Sequence, residues 1–209
     1  QCLGQAPIPP SPLHAMLPSR RLRLGLATGT LLATVFAVGT VGAQQLPITH
    51  YGLANGLPQV SVSDLEEDGA GYVWFATQGG VARFDGQEFT SFTVADGLPS
   101  NTVNALAPDA RGRMWVGTAD GLAVFRDGRF VRVGGSALTR VQALALDGPR
   151  AWALTAGGAL SLVERGRARP FTQADGLPDG DVLALAAADG VAWVSTDGGL
   201  VRIADGRVE

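Results

Sequence analysis

A unit of about 40 residues occurs four times in this chain, each copy marked by one tryptophan: Trp74, Trp115, Trp152 and Trp193. The spacings are 41, 37 and 41 residues, and a glycine after each tryptophan (Gly80, Gly121, Gly158, Gly199) keeps the same rhythm. A period in this range, with strand-like segments inside each unit, points to β-propeller blades, sheets ranged around a central channel. Such a fold usually recognises something rather than making or breaking bonds.

Setting the units side by side predicts four short strands in each. Unit one reads Val62-Ser63-Asp64-Leu65, then Val73-Trp74-Phe75-Ala76-Thr77, then Gly80-Val81-Ala82-Arg83-Phe84, then Phe89-Thr90-Ser91-Phe92. Unit two repeats this as Val103-Asn104-Ala105-Leu106, Met114-Trp115-Val116-Gly117-Thr118, Gly121-Leu122-Ala123-Val124-Phe125 and Phe130-Val131-Arg132-Val133. These runs are short, rich in β-branched and aromatic residues, and bounded by Gly, Asp, Asn or Pro. The expected strands are 62–67, 72–77, 80–84, 88–93, 103–108, 113–118, 121–126, 129–133, 141–146, 151–155, 158–163, 168–172, 182–187, 191–195 and 199–203. The Asp-Gly pairs at 85–86, 127–128 and 205–206 sit where a two-residue hairpin between the third and fourth strands needs positive φ.

Asn55-Gly56-Leu57-Pro58, Asp96-Gly97-Leu98-Pro99 and Asp175-Gly176-Leu177-Pro178 are expected to lead from one blade's outer strand to the next blade's inner strand. Proline holds the preceding leucine extended, presenting it at a fixed angle to the interface between sheets. The tryptophans are expected to pack between blades. Unit three is irregular: Ser136-Ala137-Leu138-Thr139 replaces the Gly-Leu-Pro segment, and Arg165-Gly166 replaces the final Asp-Gly. Units one and two carry Asp-x-x-Gly-x-x-Trp (Asp68, Gly71, Trp74; Asp109, Gly112, Trp115), whereas Asp147 and Asp189 stand closer to their tryptophans, so the first turn is expected to be tighter in the later blades.

The succession Asp-Gly-Leu-Pro, strand, Asp-x-x-Gly-x-x-Trp-Val-Gly-Thr, Asp-Gly-Leu and Asp-Gly resembles the two-component regulator propeller repeat of bacterial sensor proteins. The resemblance is strongest over residues 92–133, clear over 51–92 and 171–207, and weak over 134–170. It implies a periplasmic sensor region, followed in the family by an immunoglobulin-like domain, a membrane span and a cytoplasmic histidine kinase or other output. The expected partners are therefore a small-molecule or oligosaccharide ligand, the remaining blades and downstream signalling domains of the same receptor, and a second copy of the full-length receptor.

The fold class expected is all-β: about four four-stranded blades, near 51–92, 93–133, 134–172 and 173–209, of an incomplete propeller over 44–209. Closed propellers have four to eight blades, and the chain is read as the front of a longer protein. Ile48-Thr49-His50-Tyr51 lies in register with Phe89-Thr90-Ser91-Phe92 and is expected to be an outer strand that completes the final blade.

Residues 16–43 read as a signal peptide: Met16, then Arg20, Arg21 and Arg23, then an apolar run from Leu24 to Val41, then Val41-Gly42-Ala43 before the cut. The rival reading is a retained anchor, since 18 apolar residues nearly span a bilayer; apart from that, membrane attachment is expected only through a downstream segment. Residues 1–15, rich in proline, look like non-native upstream sequence. An extracytoplasmic, periplasmic location follows.

Composition agrees. The only cysteine, Cys2, precedes the expected start, so residues 44–209 use no disulfides. They carry 13 arginines against 19 acids, a net charge of −6 that argues against nucleic acid as partner. Lysine is absent from the chain, which excludes a Walker phosphate loop and a lysine nucleophile. His50 is the only histidine after the signal, so neither a serine triad nor a histidine metal site can be assembled. No cofactor, metal or catalytic residue is expected in this segment, while a kinase or cyclase output of the parent protein stays open.

In an antiparallel meander, the lead-in to the first strand and the loop joining strands two and three lie at the same end. One face therefore gathers the expected ligand contacts Gln59, Gln78, Asn101, Thr102, Asp120, Arg140, Asp179, Asp181 and Asp197, with Ser61, Thr77 and Ser100 beside them. Amides, hydroxyls and carboxylates beside aromatic rings suit a polyhydroxylated ligand such as an oligosaccharide. The sequence supports ligand sensing by a signalling receptor first, a secreted protein-binding or assembly module second, and a propeller lyase or hydrolase third.

Overall fold

The computed structural model describes residues 48–209 other than 136, 137 and 205; the expected upstream segment and signal peptide lie outside the described residues. Sixteen strands form four antiparallel sheets of four, each in simple sequence order. The first sheet holds β1 (Val62–Glu67), β2 (Val73–Thr77), β3 (Gly80–Phe84) and β4 (Phe89–Phe92). The second holds β5 (Val103–Pro108), β6 (Met114–Thr118), β7 (Gly121–Arg126) and β8 (Arg129–Val133). The third holds β9 (Val141–Asp147), β10 (Arg150–Thr155), β11 (Leu160–Glu164) and β12 (Arg167–Phe171), and the fourth β13 (Val182–Ala188), β14 (Val191–Thr196), β15 (Gly199–Ala204) and β16 (Arg207–Val208). These are propeller blades. Contacts between blades run through β1, β5, β9 and β13, so the first strand of each blade is the inner one. Among the described residues no helix is long and apolar enough to cross a membrane.

The core sits between blades. Trp74, Val81 and Phe92 of blade one pack with Leu98, Val116 and Phe130 of blade two. Trp115 and Val124 of blade two pack with Leu138, Val141 and Val163 of blade three, and Trp152 and Phe171 of blade three with Leu177, Val194 and Ile203 of blade four. Trp74, Trp115 and Trp152 thus each face the next blade. Leu57, Leu98 and Leu177 are buried as the proline spacing requires, and Leu138 takes the same place in the unit without that motif. The segments before Leu57, Leu98 and Leu177 form single 3-10 turns, closed by a glycine of positive φ and an Asn or Asp whose side chain accepts the backbone N–H three residues back: Asn55 from Gly52, Asp96 from Thr93 and Asp175 from Thr172.

The Asp-x-x-Gly-x-x-Trp turn is held by its aspartate. Asp68 Oδ1 accepts the N–H groups of Ala70 and Tyr72, and Oδ2 accepts Trp74 Nε1–H at 2.7 Å. Asp109 repeats this with Arg111, Arg113 and Trp115, and adds an ion pair with the Arg113 guanidinium at 2.6 Å. The later blades turn more tightly, in two residues, because Asp147 pairs with Arg150 and Ala188 with Val191.

Residues 48–51 join none of the four described sheets, and the blade they were expected to complete is not among these; Tyr51 packs on Phe84 and Phe89, with ring centroids 5.1 and 5.5 Å away, and His50 is exposed. One expectation is corrected. The hairpin at Asp85-Gly86 is not a two-residue turn. Phe84 pairs with Phe89 and leaves four residues between them, whereas Arg126 pairs with Arg129 around Asp127-Gly128. The Asp-Gly pair stands one position earlier after its phenylalanine in blade one, so positive φ falls at Gly86 alone, and Asp85 caps the wider turn through Gln87 and Glu88 N–H.

Candidate functional site

The loop joining the second and third strands is closed in the same way in blades one, two and four. Thr77, Thr118 and Thr196 donate their hydroxyls to the carbonyls of Gly80, Gly121 and Gly199, and accept an N–H from the residue two places on. This fixes Gln78, Ala119 and Asp197, the residues that follow these threonines, at the mouth of the blades. Backbone bonds tie the mouth together across blades two and three: Ala119 N–H donates to Thr102 O at 2.9 Å, Arg140 N–H to Ala119 O at 2.7 Å, and Ala156 N–H to Arg140 O at 2.8 Å. Arg140 holds φ +50 in this belt, a conformation that residues other than glycine seldom adopt.

Each inner strand carries a bulge at its second residue, where pairing skips Ser63, Asn104, Gln142 and Leu183. A bulge leaves one residue out of the ladder and re-aims its side chain. In blades two and three it brings two amides, Asn104 and Gln142, to the mouth. With Thr102, Ala119, Arg140 and Ala156 they line a cavity of about 480 Å³. Ala119 and Ala156 make the room, since blades one and four place the longer Gln78 and Asp197 at that position. Asn104 Nδ2 donates to Val141 O at 2.9 Å, which fixes the amide. Arg140 makes no ion pair among the described residues. The cavity therefore offers a guanidinium, two amides and a hydroxyl in one small concave space.

The expected contact residues divide by this geometry. Thr102 and Arg140 come together in the cavity. Asp181 lines a second cavity of about 480 Å³ at the junction of blades three and four, with Phe171, Gln173 and Pro178. Asp197 lies beside it, facing Asp181 N–H at 3.4 Å, and Asp179 accepts from the Gln173 amide. Gln59, Gln78, Asn101 and Asp120 line neither cavity. Two of these are structural: Gln59 Oε1 accepts Ser61 N–H at 2.8 Å, and Asn101 Oδ1 accepts Val94 N–H at 2.9 Å, securing the 3-10 turn before blade two. Sequence reasoning missed Asn104 and Gln142. Their signal was a polar residue at the same place in strands that otherwise read as apolar.

The family model described as "Two component regulator propeller" matches residues 56–79 and 97–120. No curated protein matches the chain. Among solved structures, the extracellular domain assigned to the hybrid two component system BT3049 of B. thetaiotaomicron is similar, with TM-score 0.64 and 20% identity over 77% of this chain and 26% of that one. The corresponding domain of BT4673 from the same organism gives TM-score 0.58 and 24% identity over 71% and 21%. PorZ, described as a surface component of the type-IX secretion system of Porphyromonas gingivalis, gives 0.59 and 18% over 76% and 23%. At these identities the likeness is one of fold, and the chain spans about a quarter of the length of each of these structures.

Proposed function

We propose that this chain, which carries two-component regulator propeller repeats, is part of the extracytoplasmic ligand-sensing propeller of a bacterial signalling receptor. The observation that carries the reading is the cavity between blades two and three. Its amides are supplied by bulged positions and its guanidinium by a positive-φ position, and features of this kind concentrate at functional sites. Fixed donors and acceptors in a small concave site suit a polyhydroxylated ligand such as an oligosaccharide, with Thr102, Asn104, Arg140 and Gln142 as the contacts. Recognition, not bond making, is the role of this segment; the output lies in other domains of the receptor.

The lateral faces support further blades as partners. Trp74, Trp115 and Trp152 are covered by the following blade, whereas Trp193 is 44% exposed and Leu200 beside it 69%. On blade one, Val62 and Leu65 are exposed in the same way. Both faces have the composition of a blade junction.

The test is a reporter driven by the whole receptor, with Asn104→Ala and Gln142→Ala together and protein level followed by immunoblot. Loss of the oligosaccharide response at normal abundance is expected. A normal response from the double variant would move weight to the assembly-module reading.

A further inference from the structure

A second cavity at the junction of blades two and three, of about 380 Å³, lies among the connections at the opposite ends of the strands. Four arginines line it: Arg111 and Arg113 from the β5–β6 turn, Arg126 from the end of β7 and Arg165 from the β11–β12 hairpin. Trp115 and Pro149 line it as well, and the two-residue β9–β10 turn that contains Pro149 leaves the space open. Arg113 is paired with Asp109; among the described residues Arg111, Arg126 and Arg165 have no ion pair. Residues 44–209 are otherwise acidic, so this concentration of positive charge runs against the protein's own balance.

The repeats supply an internal control on what the fold needs at these positions. Arg111 and Arg113 stand where blade one has Ala70 and Tyr72, Arg126 where it has Asp85, and Arg165 where blade two has Asp127. None of the four arginines is required by the blade. Arg165 also adopts φ +51 at a hairpin position that favours Asp, Asn or Gly. Its hairpin is bolted to blade two by Gly134 N–H to Gly166 O at 3.0 Å, which holds Arg165 at the cavity.

We propose that this cavity is a binding site for a compact multivalent oxyanion, one bearing two or more phosphate, sulfate or carboxylate groups. Guanidinium groups bind such oxyanions through paired N–H donors, and convergent arginines reward a ligand with more than one. The volume suits a small molecule rather than a polymer. The site is separate from the mouth cavity and does not rest on the oligosaccharide reading.

The experiment is calorimetric titration of the full chain with pyrophosphate, citrate and sulfate at constant ionic strength, with the thermal midpoint followed in parallel. Saturable binding of pyrophosphate or citrate, tighter than of sulfate, is expected. The variant Arg111→Ala, Arg126→Asp, Arg165→Asp carries residues that sibling blades already hold at these places, and should weaken binding at least tenfold with an unchanged far-ultraviolet circular dichroism spectrum. Should that variant fail to fold, Arg126→Lys and Arg165→Lys keep the charge and remove the guanidinium fork, and each should weaken binding several-fold. Equal affinity in wild type and variants, or no saturable binding of any of the three anions, overturns the proposal.

Discussion

Trp74 donates its indole N–H to Asp68 Oδ2 at 2.7 Å, and that one carboxylate also closes the β1–β2 turn through two backbone N–H groups. The bond couples a local turn to the packing between blades, since the same indole stacks on Phe92 and meets Phe125 of the next blade edge-on. Asp68→Ala leaves a buried indole N–H and two turn N–H groups without their acceptor. A loss of about 2 to 4 kcal/mol in urea unfolding is expected, against less than about 0.5 kcal/mol for Asp120→Ala on the exposed loop.

Gly97 and Gly86 have nearly equal φ, +96 and +97, but different surroundings. A Cβ on Gly97 would lie 2.2 Å from Phe130 O, whereas one on Gly86 meets nothing within 4 Å. Gly86→Ala should cost about 1 kcal/mol, the strain of a left-handed residue. Gly97→Ala should cost several times more, read as the shift in urea midpoint, because backbone must move.

Stability should fall in acid. Burial opposes ionisation of Asp109, but the Arg113 side chain and backbone, Trp115 and Arg111 outweigh it and hold the carboxyl below its ordinary value. Asp175 is lowered by the Arg169 guanidinium and Thr172 N–H, and Asp85 by the N–H groups of Glu88 and Gln87. A lowered folded pKa means that the unfolded chain takes up protons first. The stabilisation is thus complete above the unfolded value of about 3.9 and is lost as pH falls through it toward the folded values. Glu66, raised by burial and by Asp64, acts the other way and offsets part of the loss. The thermal midpoint should drop below about pH 4.5, and the drop should be shallower in Asp175→Asn.

Trp193, Leu200 and Leu183 expose apolar surface on blade four. Concentration-dependent self-association of the chain is expected by sedimentation velocity, because exposed apolar patches and blade edges seek partners. Leu200→Glu should reduce it without lowering the thermal midpoint.

The blades were legible because their strands are short, bounded by turn residues and repeated, so that each unit corroborated the others. The Asp85-Gly86 turn misled because a one-residue offset in Asp-Gly, invisible without the strand register, decides which residues take positive φ. For the site, strand alternation placed Thr102 and Arg140 at the same end of the blades but did not show the cavity that they line. Asn101 and Asn104 are the same residue type three places apart; only the bulge at 104 and the bond from Val94 N–H at 101 separate a lining residue from a structural one.

The central claim is that the mouth of blades two and three recognises a polyhydroxylated ligand. Its most direct test is calorimetric titration of a panel of soluble oligosaccharides against the wild-type chain and against Asn104→Ala, Gln142→Ala and Arg140→Gly. At least one oligosaccharide should bind saturably, with affinity reduced tenfold or more by Asn104→Ala and Gln142→Ala, and by Arg140→Gly, which relieves the positive φ while removing the guanidinium. Binding that all three variants leave unchanged would contradict the account.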